Sequence, residues 1–145
     1  QVAGVAGGVG GQPADVEDSA ALALRFDNGS FGTMTSGYYL DKGYHTHLKI
    51  WGATGWLTYT EWLNGATKVP LEWYSTAEPK AAGIQSFARP EEPQGYSPFV
   101  RAAVRACAGL QEAPITAREG LRVLRTIFAF YEAAKTGQTC SVKPV

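Results

Sequence analysis

His45 and His47 stand two residues apart in GYHTHLKIWGATGW, Gly43 to Trp56, a stretch that holds both histidines of the chain and two of its four tryptophans. On a β-strand this spacing puts the two imidazoles on one face, about 6–7 Å apart at Cα. Three kinds of chemistry fit such a pair: a shared metal ion, hydrogen bonding to a polyol or carbonyl substrate near neutral pH, or a polar patch at a contact between subunits. A zinc site wants three or four protein ligands, and the chain has no third histidine and no cysteine near the pair. A cupin-like HxH site would also need a glutamate a few residues on, where Ile50, Trp51 and Gly52 stand. No metal is therefore expected, and a substrate role for His45 and His47 requires a second pocket wall from elsewhere.

Nucleophilic chemistry has little to build on. There is no GxSxG elbow, and neither Cys107 nor Cys140 has a histidine partner in sequence. Cys107 falls on an apolar helical stripe and reads as a core residue. The glycines of GVAGGVGG look like a phosphate-binding loop only superficially. A dinucleotide fingerprint needs a buried strand before it, a helix after it and an acidic residue about 20 positions on. Here a loop with Pro13 and Asp15 leads into a strand, so the run reads as a linker or strand end.

Composition narrows the class further. A chain of 145 residues, 45% apolar, is the size of one ordinary domain with a core. Thirteen basic residues balance thirteen acidic ones without a basic cluster, so no nucleic-acid partner is expected. Charged residues make up only 18% while tryptophan and tyrosine are plentiful, which predicts aromatic surface covered by another protein surface. The two cysteines form no CxxC or Cys/His cluster, which fits a reducing, cytoplasmic setting. The amino terminus has no signal-peptide pattern, and no run approaches the roughly 18 apolar residues that span a bilayer, so no membrane partner is expected. The chain begins at Gln1 without an initiator Met, a start that leaves open both a fragment of a longer enzyme and a stand-alone protein.

The elements that must position these residues follow from periodicity. Val2 to Ala6 reads as a short strand, and Gly7 to Asp18 as a connection. SAALALRF puts Ala20, Leu22, Leu24 and Phe26 on one strand face and smaller or polar residues on the other. Asp27-Asn28-Gly29 then supplies a tight turn into FGTMTSGYYL. Tyr44 to Trp51 alternates, with Tyr44, Thr46, Leu48 and Ile50 on one side and His45, His47, Lys49 and Trp51 on the other. Gly52 to Gly55 turns the chain into WLTYTEW, Asn64-Gly65 marks another turn, and KVPLEWYS gives a strand in which Pro70 argues for an edge or bulge. Ala77 to Gly95 reads as an irregular loop. Ser97-Pro98 starts a helix with Val100, Ala103, Val104, Cys107 and Leu110 on its apolar stripe. Thr116 and Glu119 form a capping box for a second helix, whose stripe of Leu121, Leu124, Ile127, Phe128, Tyr131 and Ala134 runs to Gly137. TCSVKPV reads as a short last strand. The expected fold is α+β: an open-faced, mostly antiparallel sheet with two amphipathic helices on one face, Leu48 and Ile50 facing them. The opposite face, carrying His45, His47, Lys49 and Trp51, is then open or covered by a partner. Lys49, Trp51 and Trp56 are its candidate interface residues.

DVEDSAALALRFDNGSFGTMTSG, then GYHTHLKIWGATGWL, then GYSPFVRAAVRACAGLQEAPITAREGLRVLRTIFAFYEAAKTGQ together resemble the carboxy-terminal domain of the Gfo/Idh/MocA family of NAD(P)-dependent oxidoreductases. The likeness covers nearly the whole chain, with VEDSA, FDNGSFG, IWGATGWL, PITAREGLRVL and the final TGQ as its most specific pieces. It implies a two-domain enzyme whose amino-terminal Rossmann domain binds NAD or NADP and carries the lysine of an EKP-like motif. A catalytic histidine and nearby aspartate would lie just upstream of Gln1. No catalytic or cofactor-binding residue is therefore expected within these residues. The family's strand often begins with a Gly-Tyr pair whose tyrosine faces substrate. Gly43-Tyr44 matches it and joins Tyr44 to His45 and His47 as candidate substrate contacts, although His45 stands where many members carry another polar residue, frequently an acid. The implied function is a substrate-binding and homo-oligomerisation domain of a dehydrogenase acting by hydride transfer on a sugar, polyol or related hydroxy compound. The alternatives are a free-standing, non-catalytic interaction or small-ligand module, and a metal-dependent sheet protein using His45 and His47.

Overall fold

A computed structural model describes residues 1–8, 15–38, 45–62, 70–77, 83–88 and 96–144. Their order is β1 (Val2–Gly7), β2 (Ser19–Arg25), β3 (Phe31–Gly37), β4 (His45–Gly52), β5 (Gly55–Trp62), β6 (Leu71–Ser75), β7 (Gln85–Phe87), α1 (Tyr96–Cys107) and α2 (Ala117–Thr136). The α+β class with open antiparallel sheets and two helices is the expected one. The described strands, however, form two sheets, β1-β2-β3 and β4-β5-β6-β7. The chain divides into two compact units, Gln1–Tyr39 with Gln94–Val145, and Leu40–Pro93.

In the first unit the alternation of β2 sets the inner face, with Leu22 and Leu24 half-buried while Ala21, Ala23 and Arg25 are exposed. Leu24 pairs with Val2 and Gly32, and Leu22 with Gly4 and Met34. The β2–β3 turn closes as its residues dictate: Phe26 N–H donates to the Ser30 carbonyl at 2.9 Å, and Gly29 N–H to the Phe26 carbonyl at 3.0 Å. Gly29 takes φ +87, which a side chain would strain. Asn28 Oδ1 accepts from both the backbone N–H (3.0 Å) and the hydroxyl (2.7 Å) of Ser30. The outer edge of β1 is closed at Val2, which exchanges two 2.8 Å hydrogen bonds with Cys140. The expected carboxy-terminal strand is thus a single bridge.

α2 carries the capping box read from Thr116 and Glu119, and it ends on Gly137 at φ +69 with its N–H donating to the Ala133 carbonyl. Its buried side chains are Phe130 and Ala133, which with Val2 are 5%, 1% and 1% exposed. The expected stripe lies elsewhere on the helix: Leu124 and Tyr131 are exposed and Phe128 is 66% exposed. α2 has two apolar faces, and the narrower one packs on β1 because β1 offers a slot there. A Cβ on Gly4 would stand 2.3 Å from the Ala21 carbonyl oxygen and 2.9 Å from Phe130 Cε2. α1 buries no residue. Cys107 is therefore exposed, a correction to its reading as core.

In the second unit Gly52 pairs with Gly55 across the expected turn. Pro70 precedes β6, and its carbonyl accepts from Thr60 N–H at 2.8 Å. Lying outside the ladder, it costs no strand donor, so β6 sits between β5 and β7 rather than at an edge. β7 itself falls in the stretch expected to be a loop, too short at three residues to show a period. Leu48 and Ile50 were expected under helices, yet they are 49% and 54% exposed. The described part of this unit is sheet alone. Tyr44 and the Asn64-Gly65 turn lie outside the described residues, as do residues 9–14 of the Gly7–Asp18 connection. Among the described residues no helix is long and apolar enough to cross a membrane.

Two tests follow from the first unit. Gly4→Ala forces β1 from β2 and Phe130 from its seat, so thermal unfolding should register a loss of about 2 kcal/mol or more. An unchanged melting temperature would contradict the slot. In the capping box, Thr116 donates from N–H and Oγ1 to Glu119 Oε2 at 2.8 and 2.7 Å. The backbone bond first, then the hydroxyl bond, holds the Glu119 carboxyl below its ordinary 4.5. A carboxylate with a depressed folded pKa stabilises the fold above its unfolded value, and that contribution is lost as pH falls through the folded one. Stability of the native chain should therefore decline below about pH 4.5, and Glu119→Gln should reduce that slope in melts recorded across the acid range.

Candidate functional site

The register of the second sheet gathers the residues singled out from sequence onto one face. Because side chains alternate along a strand, His47, Lys49 and Trp51 of β4 share a face with their direct partners Thr60, Thr58 and Trp56 of β5. One strand further, Thr58 pairs with Glu72 and Trp56 with Tyr74. The turn at Gly52–Gly55 fixes this register, since a slip by one residue would send the polar set to the opposite face.

His47 is exposed, and its Nδ1 lies 2.9 Å from Thr60 Oγ1. This cross-strand bond fixes the ring and leaves Nε2 as the nitrogen that a ligand can reach. Lys49 is held differently: its Nζ sits 4.3 Å from the Trp51 ring centroid and 5.0 Å from that of Trp56. Both distances are within the range of cation–π attraction. Trp51 is 70% exposed and Trp56 half-buried. Among the described residues neither Lys49 nor Glu72 has an ion-pair partner.

The structure thus brings together His47, Lys49, Trp51 and Trp56. His45 pairs with Trp62 in the β4–β5 ladder, so the expected strand start is present, while Tyr44 lies outside the described residues. Thr60, Glu72 and Tyr74 belong to the same face and were not singled out from sequence. Counting outward from the Gly52–Gly55 turn identifies Thr60 opposite His47. Glu72 and Tyr74 need the β5–β6 register, whose turn carries no such fixed count.

The rest of the described chain offers less chemistry. A shallow cavity of about 490 Å³ in the first unit is lined mostly by Val2, Ala3, Ala23, Leu24 and Phe31, with Arg25 and the amino terminus as its charged groups. Tyr131 OH donates to Glu17 Oε1 at 2.5 Å, which holds the Glu17 carboxyl below and the Tyr131 phenol above their ordinary values. No group of three His, Cys, Asp or Glu that could hold a metal occurs among the described residues. Among the described residues β1 pairs with an antiparallel β2 and no helix follows it before that strand, whereas a dinucleotide is cradled where a strand leads into a helix.

The profile described as "Oxidoreductase family, C-terminal alpha/beta domain", of the Gfo/Idh/MocA group, matches residues 2–143. Solved structures share the fold at low identity. Levoglucosan dehydrogenase in complex with NADH aligns at TM-score 0.77 and 16% identity, over 99% of this chain and 45% of that one. Aldose-aldose oxidoreductase from Caulobacter crescentus, complexed with glycerol, aligns at 0.69 and 19%, over 94% and 39%. The WlbA dehydrogenase from Bordetella pertussis, in complex with NADH and UDP-GlcNAcA, aligns at 0.66 and 18%, over 94% and 38%. The chain spans less than half the length of these proteins. No curated protein sequence matches it.

Proposed function

This chain belongs to the Gfo/Idh/MocA oxidoreductase family, as its C-terminal alpha/beta domain, and on that premise we propose that it forms one substrate-facing wall and the oligomerisation surface of an NAD(P)-dependent dehydrogenase. Its substrate is a sugar, polyol or related hydroxy compound, and it works in the cytoplasm. The observation that carries the reading is the open β4–β5 face, where His47 presents Nε2 while Thr60 fixes Nδ1. A ring so held hydrogen-bonds a substrate hydroxyl in a set orientation, the positioning that hydride transfer demands. The names of proteins sharing the fold, among them a levoglucosan dehydrogenase and an aldose-aldose oxidoreductase, support a sugar or polyol as substrate.

NAD or NADP, when bound, supplies the acceptor for the hydride that leaves the hydroxyl-bearing carbon. The described residues of this chain do not fit that cofactor, so we assign its binding, and the base that takes the hydroxyl proton, to another part of the protein. What this chain contributes is binding and orientation through His47, with Tyr44 and His45 as its candidate neighbours. Lys49, Trp51 and Trp56 are assigned to contact with a second copy.

The test is NAD(P)-linked oxidation of a panel of sugars and polyols by the intact protein. Loss of one hydrogen bond to a neutral substrate is worth about 1 kcal/mol. His47→Ala should therefore raise KM roughly fivefold, and Thr60→Val should give a smaller rise by releasing the ring. Unaltered kinetics in His47→Ala, His45→Ala and Tyr44→Phe alike would remove this strand from the pocket. A panel that yields no reduced cofactor with the native protein would end the dehydrogenase reading.

A further inference from the structure

The first sheet has a step on the face away from its core. Side chains alternate along a strand, so Ala23 and Arg25 of β2 lie on the face opposite Leu22 and Leu24. The register carries this across the sheet: Ala23 is the direct partner of Ala3, and Arg25 of Phe31. A low row of two alanines therefore adjoins a tall row that holds a guanidinium and a phenyl ring. Gly32, the next residue of β3, takes the inner position opposite Leu24, so the Phe31 ring is turned outward and is 85% exposed. Gly29 in the adjoining turn adds no side chain over the step. The result is the cavity of about 490 Å³ already noted, with Thr139 also lining it. Pockets that take small molecules measure about 300–1,000 Å³.

The charge of this cavity has one sign. None of its lining residues is acidic, and among the described residues the Arg25 guanidinium has no hydrogen-bond or ion-pair partner. The Gln1 amino group already donates to the Arg25 carbonyl at 2.9 Å, so the guanidinium is the charge left for a ligand. Its planar fork matches a carboxylate with two parallel hydrogen bonds. Direct cross-strand partners stand about 4.5–5.5 Å apart at Cβ, so one small ligand can reach both the fork and the Phe31 ring. We propose that this step binds a small aromatic carboxylate, its carboxyl on Arg25 and its ring against Phe31, with Ala3 and Ala23 as the floor. An aliphatic acid leaves the phenyl ring uncovered, and a neutral aromatic leaves the guanidinium unpaired. A phosphate dianion calls for more than one cation. The site uses neither His47 nor the cofactor, so it goes beyond the function proposed above and does not depend on it. Because the cavity is shallow, a bound ligand keeps one side in water, and the dissociation constant should be on the order of 1 mM.

The inference is tested by ligand-observed NMR titration of the intact protein with benzoate, using benzamide and acetate as the probes that lack the charge or the ring. Benzoate should saturate, and both other probes should bind at least about tenfold more weakly. Arg25→Gln should weaken benzoate about tenfold, Arg25→Lys severalfold because the fork is lost, and Phe31→Ala about fivefold. Circular dichroism checks that each variant folds, which the exposure of both side chains favours. His47→Ala, on the other sheet, should leave the titration unchanged. Absence of saturable benzoate binding at roughly ten times the expected constant would overturn the site. So would equal binding of benzoate and benzamide, or benzoate binding that is lost in His47→Ala and kept in Arg25→Gln. Each of these results leaves the dehydrogenase reading standing, because that reading is judged by cofactor reduction.

Discussion

The seat of Phe130 above Gly4 is the contact on which the first unit depends. A strand backbone and a helix approach this closely only where one of them has no side chain, and Gly4 lies in the middle of β1 with backbone atoms of β2 beside it. The contact buries Phe130, Ala133 and Val2 together. It also determines what surrounds it. The Val2–Cys140 bridge closes the edge of β1 beneath the helix end, and the Tyr131–Glu17 hydrogen bond ties α2 to the segment that enters β2. The guanidinium of Arg125 holds the Pro144 carbonyl, so the chain beyond the helix is drawn back along it.

A core this narrow leaves apolar surface uncovered. The outer face of α2 shows Leu124 and Phe128, and the second sheet shows Leu48 and Ile50 on the side opposite His47. Isolated apolar residues on a surface need no explanation, but contiguous faces of them mark contacts with other protein. An α-helix that is apolar on two sides has two neighbours to satisfy. α2 satisfies one with β1, and among the described residues its second face, with Leu124 and Phe128, is uncovered. That both sheets are open and both helices retain exposed apolar residues fits a chain whose fold occurs as under half of larger proteins.

Much of this was legible in the sequence, for identifiable reasons. The alternation of SAALALRF, the Asp27-Asn28-Gly29 turn and the Gly52–Gly55 turn each depend on local backbone preferences, and each lies where expected. The Thr116–Glu119 box is likewise local, being two reciprocal hydrogen bonds within one turn. What failed needed tertiary information. Helical spacing identifies an apolar stripe but not which of two stripes meets the sheet. The stripe through Leu121 and Leu124 was therefore read as buried, whereas Phe130 and Ala133 are. Cys107 shares this error on a helix that buries nothing. β7 escaped because three residues amid prolines and glutamates carry no period, and Pro70 suggested an edge because its position just outside the ladder is a matter of one residue. The polar face containing His47 was legible as a face. Its cross-strand members Thr60, Glu72 and Tyr74 became visible only with the register.

The same register explains why two histidines on a strand do not make a self-contained site. A flat sheet face cannot surround a ligand, so its residues act only when another surface closes over them. What the sheet can provide is rigidity: His47 is held by the Thr60 hydroxyl across the strands, and Lys49 by the indole of Trp51 on its own strand and that of Trp56 on the next. A free lysine surrenders up to about 2 kcal/mol of rotamer entropy on being fixed. Part of that loss is already met when the ammonium rests between Trp51 and Trp56 in the folded chain. Preorganisation of this kind favours association with a surface that approaches from above, whether a substrate pocket closed by the rest of the protein or a second sheet. The two uses do not compete for the same atoms, since His47 lies toward the start of β4 and the Lys49–Trp51 pair toward its end. One strand can therefore line a pocket near its first residues and meet a partner near its last.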